Sequence, residues 1–463
     1  MIVEQLYTKC LSEAAYFIAD GGEAAIIDPL RDVEEYIQKA EALGVKIKYI
    51  FETHFHADFV SGHRELAART GAEIVYGPNA KPAFPIHSAT NGEIFKIGSL
   101  ELKALHTPGH TLESTCYLLS DAAGAPYCVF TGDTLFIGDV GRPDLAAGSN
   151  LSQEELAGLL YDSLHKHITP LPDSVIVYPA HGAGSACGKS MSKETFSTVG
   201  EQKESNYALQ AKSRHVFIEE VTDGLAQPPA YFGINVAMNK KGSASLEEVM
   251  SRANRALSIA DFKAEVEKGA WIIDTRDSTV FTLGFVPGAV SIGLDGRYAE
   301  WAGSLLPFDE NLVLVTAVGK EAESITRLAR VGLDKVVGYL QGGYEAWTTA
   351  GEELDMIIDI DPDEFMMDLP HDPNLEVLDV RKPGEFASGH VVGAANVPLD
   401  TLIDPLVVAE VPDERNLYVL CGGGYRSVIA SSLLKRQGIH NLRNIVGGWG
   451  ALKDVKGLPV ETA

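Results

Sequence analysis

Short apolar runs, each closed by a polar or turn-forming residue, recur along the whole chain. Before residue 255 they include YFIA, AAIIDP and KYIFETH, lengths that predict short strands. Beyond it the pattern becomes a repeating block. An apolar strand ends in Asp-x-Arg, a second apolar run follows (LVLVTA, then LYVLC), and a helical stretch leads to a Gly-Gly turn and an amphipathic close. WIIDTRDSTVFTLGFVPGAVSI from Trp271 is echoed 105 residues later by EVLDVRKPGEFASGHVVGAANV from Glu376. Asp274 matches Asp379, Arg276 matches Arg381, Gly284 matches Gly389, Asn311 matches Asn416, and Gly342-Gly343 match Gly447-Gly448. An ungapped register of that length is a duplicated domain.

Strands alternating with helical stretches predict a small parallel α/β domain for each copy, over 256–352 and 360–463. GEELDMIIDIDPDEF between them reads as a short linker entering a helix. Residues 1–255 form a different domain, and QPPAYFGINVAMNKKGSASLEE is expected to leave it as an extended tail, because Pro228-Pro229 bars helix. The fold class is thus α/β and multidomain. Three domains suit 463 residues at roughly 150 per domain.

Composition removes several function classes. With 38 Lys plus Arg against 64 Asp plus Glu, the net charge of -26 repels phosphate backbones and anionic headgroups. Nucleic acid and membranes are therefore not expected partners. The opening residues show no basic segment followed by an apolar one, so no secretory signal is expected. No apolar run approaches the roughly 18–20 residues that span a bilayer. Five scattered cysteines (Cys10, Cys116, Cys128, Cys187 and Cys421) make no disulfide framework. A reduced, cytoplasmic protein is expected.

Histidines concentrate before residue 182. THFHAD (53–58) directly follows the strand KYIFE, and downstream lie His110 in TPGHT, Asp133 in FTGDTLF and His181 in YPAHG. Each sits at a strand end or in a Gly/Pro turn, where a rigid scaffold can present a side chain. A lone histidine is ordinarily a satisfied polar group; four such elements in this order predict a metal site, with the imidazole and carboxylate donors that iron and zinc use.

This order of elements resembles the metallo-β-lactamase superfamily, which implies an αββα sandwich over nearly all of 1–255. Two branches of that superfamily imply different centres. Hydrolases of the glyoxalase II type carry H-x-H-x-D-H and two metals. They would use His54, His56 and His110 for the first, Asp58, the next histidine and His181 for the second, with Asp133 bridging. Here Phe59 follows Asp58, and a phenyl ring cannot ligate. The second branch, the persulfide dioxygenases, implies one non-haem Fe(II) held by His54, His110 and Asp133, with His56, Asp58 and His181 orienting ligands, water or substrate around it. GDVGRPDL (138–145) and HGAGSACGKSMSKETFSTVGEQKESN (181–206) are similar to stretches around that branch's substrate cleft. Cys187, six residues after His181, is a further catalytic candidate as a sulfur relay; an inert packed thiol is the alternative. Cys10, Cys116 and Cys128 are expected to pack, and Arg142 to pair with Asp144.

In the last domain Cys421-Gly422-Gly423-Gly424-Tyr425-Arg426-Ser427 follows LYVL and precedes a helical stretch. Backbone N–H groups of such a loop and the helix dipole lower a thiol's pKa and cradle an anionic persulfide, with Arg426 adding a fixed charge. The loop, DVRKPGEF, GHVVGAANVP and GGW (447–449) resemble the rhodanese family, implying Cys421 as the sulfur-carrying nucleophile. In the first copy the register puts Thr316 at Cys421 and Glu321 at Arg426, so that copy is expected to be inactive. Asp274, Arg276, Asp379 and Arg381 occur in both copies and are expected to be structural.

The combination is similar to the three-domain bacterial persulfide dioxygenase–sulfurtransferases. It implies oxidation of a low-molecular-weight thiol persulfide by O2 to sulfite and thiol, and sulfane transfer through Cys421 to or from sulfite and thiosulfate. Glutathione, coenzyme A and bacillithiol are all compatible carriers, and a homodimer or tetramer is expected. Two alternatives are a glyoxalase II-type thioester hydrolase with appended rhodanese domains and a non-catalytic sulfur carrier or sensor.

Overall fold

The computed structural model describes residues 1–145 and 151–462. The chain forms two compact units, one of Met1–Val249 with Ala329–Gly332, the other of Met250–Leu328 with Leu333–Ala463. No helix among the described residues is long and apolar enough to cross a membrane.

The first unit holds two six-stranded sheets. One runs in sequence order through β1 (Ile2–Thr8), β2 (Glu13–Asp20), β3 (Glu23–Ile27), β4 (Lys46–Glu52), β5 (Glu73–Tyr76) and β6 (His87–Ser88). The other is built of β7 (Ile94–Ile97), β8 (Leu100–His106), β9 (Thr115–Ser120), β10 (Pro126–Gly132), β11 (Ile176–Pro179) and β12 (Ser197–Thr198), each beside the next. β2 shows why the sandwich forms. Seven of its eight residues are buried, because both faces of the sheet are covered. Ala14, Tyr16 and Ile18 point to the inter-sheet core, against Leu102, Tyr117 and Phe130. The alternate residues Ala15, Phe17 and Ala19 join Tyr36 and Leu66 of the covering helices. A third cluster packs Ala157, Leu160, Leu164 and Phe217 on the outer face of the second sheet. This is the αββα order.

The segment after Pro228-Pro229 is not an extended tail. Two helices, Phe232–Lys241 and Leu246–Ala253, follow the prolines. Proline bars a helix only where its ring and missing N–H fall inside one; just ahead of the first turn it is tolerated.

The second unit holds two five-stranded parallel sheets of the same order. The first runs Ala256–Leu257, Val336–Leu340, Leu312–Val315, Trp271–Asp274, Ala289–Ser291; the second runs Ile358–Ile360, Leu442–Ile445, Asn416–Leu420, Leu375–Asp379, Ala395–Asn396. Ile358–Ile360, within the stretch that reads as linker, is thus an edge strand of the second sheet. Equivalent bonds recur in both copies. Arg276 pairs with Asp274 and donates to Gly284 O at 3.0 Å; Arg381 pairs with Asp379 and donates to Gly389 O at 2.8 Å. Each guanidinium lies over an aromatic ring, Tyr344 or Trp449. Buried charges survive only when satisfied in this way, so these four residues are structural.

Candidate functional site

The first cluster sits at one end of the sandwich. His54 follows β4, His110 lies in the turn between β8 and β9, Asp133 follows β10 and His181 follows β11. Close approach of these turns depends on glycine. A Cβ on Gly132, whose φ is +52°, would lie 2.6 Å from the Thr53 side chain; one on Gly141 would lie 1.9 Å from Asp133 O.

Three donors converge. Asp133 Oδ2 lies 3.8 Å from His54 Nε2 and 3.5 Å from His110 Nε2, all buried. The far side of each ligand is held. His54 Nδ1 is 3.0 Å from Thr53 Oγ1, which donates to Asp28 Oδ2 at 2.8 Å; Thr53 N donates to Asp28 Oδ1 at 2.7 Å. His110 Nδ1 donates to Arg142 O at 2.9 Å, and His181 Nδ1 donates to Asp133 Oδ1 at 2.7 Å. Both histidines therefore offer Nε2 to any cation, and Asp133 offers Oδ2, a buried atom with no hydrogen-bond partner. An orphaned carboxylate oxygen facing two imidazole nitrogens is costly in an empty protein interior and fits a cation with bonds of about 2.0–2.2 Å. Burial opposes charge on Asp133, but His181, His54 and His110 hold its carboxyl far below the usual carboxylate range. Burial, reinforced by His56, pushes His54 down, leaving the neutral imidazole a metal requires.

Beside these lie His56, Asp58 and His181. His181 Nε2 is 2.8 Å from Asp58 Oδ2, so this imidazole bridges two carboxylates. His56 Nε2 is 3.1 Å from Asp28 Oδ1 and 3.6 Å from Glu52 Oε2, and the Phe59 ring lies 4.3 Å from its own. His56, Asp58 and His181 offer a second trio of ligand atoms within 4.8 Å of one another. Cys187 Sγ lies within the same distance of Asp133 and His181 donors. Burial pushes its thiol up, and Asp58 and Asp133 add to the shift, so it is held as the neutral thiol. Arg142 pairs bidentately with Asp144 at 2.7 and 2.6 Å. Cys116 and Cys128 are buried among core side chains.

Asn239, which the sequence did not single out, clamps the ligand loop. From the helix Phe232–Lys241 its Nδ2 donates to His56 O at 2.9 Å and Phe59 O at 2.8 Å, and its Oδ1 accepts from Ser61 N at 2.9 Å. Asp28 and Thr53 were also missed. Asp28 ends AAIID with φ +50°, a strained conformation for a non-glycine and a mark of a functional position.

The second candidate site lies in the second unit. Cys421 follows the strand Asn416–Leu420, and Tyr425–Arg436 is the helix after it. Gly424 N donates to Cys421 Sγ at 3.1 Å, and the thiol donates to Ser427 Oγ at 3.4 Å. The late Gly-Gly-Trp closes on this loop: Trp449 N donates to Cys421 O and Gly450 N to Gly422 O. A Cβ on Gly448 would lie 2.2 Å from Cys421 O, and one on its counterpart Gly343 would lie 2.6 Å from Thr316 O. The Tyr425 side chain turns away from the loop and its hydroxyl donates to Gly293 O of the first copy at 2.9 Å. Arg426 pairs with Glu385.

The metallo-beta-lactamase superfamily model matches residues 8–181, and the rhodanese-like domain model matches 258–350 and 361–454. A hydroxyacylglutathione hydrolase, GloC, of Haemophilus influenzae is 30% identical over 42% of this chain and 91% of its own length. The mitochondrial persulfide dioxygenase ETHE1 of Mus musculus is 30% identical over 52% of this chain and 88% of its own. The crystal structure of a metallo-beta-lactamase from Staphylococcus aureus subsp. aureus COL covers 74% of this chain and 99% of its own at 31% identity, with a TM-score of 0.66.

Proposed function

This chain belongs to the metallo-β-lactamase superfamily and carries two rhodanese-like domains, and from that premise we propose that it is a persulfide dioxygenase–sulfurtransferase. The observation that carries the reading is the trio His54 Nε2, His110 Nε2 and Asp133 Oδ2, one face of two imidazoles and one carboxylate. That donor set is the one non-haem Fe(II) oxygenases use, and one Fe(II) per chain would supply a centre with open positions for a sulfur ligand and O2.

The chain's own residues prepare that centre. Asp28, through Thr53, fixes the tautomer and direction of His54; the Arg142 carbonyl does the same for His110. His181 occupies Asp133 Oδ1, so only Oδ2 faces the trio. His56 and Asp58 lie buried beside the centre, and Asp58 holds the far nitrogen of His181. The overall reaction is R–S–SH + O2 + H2O giving R–SH, sulfite and two protons.

Cys421 serves the second half of the reading. Its thiolate attacks the outer sulfur of a persulfide, the S–S bond breaks, and the carrier leaves as thiolate. Sulfite then takes the sulfur from Cys421 as thiosulfate and restores the thiolate, and the same steps run in reverse from thiosulfate. Gly424 N and the Gly422–Gly424 backbone receive the sulfur's charge. Thr316 has no such chemistry, so the first copy carries no sulfur. A cytoplasmic setting and a homo-oligomer belong to the same proposal.

One observation favours a second reading. The trio His56, Asp58 and His181 could hold another ion, as a two-metal thioester hydrolase requires. Metal analysis separates the two: one iron per chain with sulfite formed from a persulfide supports the oxygenase, whereas two metals per chain with thioester cleavage supports the hydrolase.

A further inference from the structure

The charge of Arg426 is already engaged. Its Nη1 lies 2.7 Å from Glu385 Oε2 and its Nη2 lies 2.8 Å from Oε1, a bidentate pair. The pair stands beside the nucleophile. A Cβ built on Gly422, the residue after Cys421, would lie 2.9 Å from Arg426 Nη2 and 3.7 Å from Glu385 Oε1. A carboxylate thus occupies the guanidinium that a small anion approaching Cys421 would seek.

Glu385 also accepts from Lys382 N at 3.1 Å at the start of its helix, and the duplication shows that this fold forms without the Glu–Arg pair. The same register that matches Asp379 and Arg381 with Asp274 and Arg276 puts Val280 at Glu385 and Glu321 at Arg426. The copy without a nucleophile has lost both partners. It still keeps the Asp–Arg pair, the strand order and the stacked rings Phe281 and Phe285, where the other copy stacks Phe386 on His390. The carboxylate and the guanidinium therefore go with Cys421.

The pair is also exchangeable. The Glu385 side chain is 42% exposed and that of Arg426 20%, so a solute can reach the carboxylate side of the pair and compete for the guanidinium. Hydrogen bonding to Arg426 holds the Glu385 carboxyl below its ordinary range, so it is an anion throughout neutral pH.

We propose that Glu385 is a resident anion that sets the affinity of the Cys421 loop for small sulfur oxyanions such as sulfite and thiosulfate. It keeps Arg426 in place while the loop is vacant and yields the guanidinium when a doubly charged anion enters. The proposal rests on the sulfurtransferase reading of 360–463, and its first readout needs no turnover.

The experiment compares alkylation of Cys421 in the full chain by anionic iodoacetate and neutral iodoacetamide, followed on the Cys421 peptide. Glu385→Gln keeps hydrogen bonds to Arg426 and removes the charge. It should raise the iodoacetate-to-iodoacetamide rate ratio at least about threefold, and lower KM for thiosulfate by a similar factor with a smaller change in kcat. Glu385→Asp, which keeps the charge, should stay near the wild-type ratio. Both variants keep an acceptor for Lys382 N, so the start of the helix is retained. An unchanged ratio in Glu385→Gln, or a KM that rises, would overturn the proposal and leave Glu385 a prop for Arg426. A raised ratio in a chain without sulfurtransferase turnover would uphold the anion role and sink the sulfurtransferase reading instead.

Discussion

His181 Nδ1 lies 2.7 Å from Asp133 Oδ1, and this one bond decides which oxygen of Asp133 is left for a metal. His181→Ala should free the carboxylate to rotate. Loss of such a supporting partner weakens metal binding by about 10–100-fold. Competition with a chelator, read as metal retained per chain, measures it; retention equal to wild type would remove His181 from this role.

Asn239→Ala should unfasten the loop that carries His54, His56 and Asp58. Three buried hydrogen bonds end on its side chain, so the expected loss is about 2–4 kcal/mol of stability, with weaker metal retention. Thermal unfolding with and without metal reads both. A variant melting with wild type would contradict the clamp.

The first copy should matter to the Cys421 loop. A Cβ on Gly296 would lie 2.7 Å from Tyr425 Cζ, beside the hydroxyl bonded to Gly293. Gly296→Ala should displace Tyr425 and with it the Cys421 loop, lowering thiosulfate sulfurtransferase activity about tenfold although the substitution lies outside 360–463. Unaltered activity would make the Tyr425 contact a packing detail.

The pH dependence of anion discrimination follows from Glu385. Its carboxyl is depressed in the folded state by Arg426, so the pair is intact above the ordinary glutamate value of 4.5 and is lost only as pH falls through a lower one. The iodoacetate-to-iodoacetamide ratio at Cys421 should therefore be flat from pH 8 to pH 5 as far as Glu385 is concerned. Glu385→Gln should differ from wild type by a constant factor over that range. A difference that vanishes between pH 7 and pH 5 would contradict an ionised Glu385.

The grouping of His54, His110 and Asp133 and the Cys421 loop were legible in the sequence because each of these residues ends a short strand or lies in a glycine turn, and the duplicated domain because its register has no gap. The groups that hold those residues were not. Asn239 is 183 residues from His56, and the bond joining them leaves no local pattern. Asp28 and Thr53 look like ordinary strand-end residues until the fold puts one carboxylate behind His54. Pro228-Pro229 misled because proline bars a helix interior but not the residues ahead of its first turn. The strand Ile358–Ile360 was hidden because it has only three residues, with Asp359 inside it and Asp361-Pro362 directly after it. Glu385 sat in plain view within DVRKPGEF, yet its tie to Arg426, 41 residues on, required the structure.

The most direct test of the account is oxygen uptake by the Fe(II)-loaded chain given a thiol persulfide, with His110→Ala beside it. The account predicts uptake matched by sulfite formation in the wild type and loss of both in the variant. No uptake with persulfides of glutathione, coenzyme A or bacillithiol, or uptake that survives His110→Ala, would contradict it.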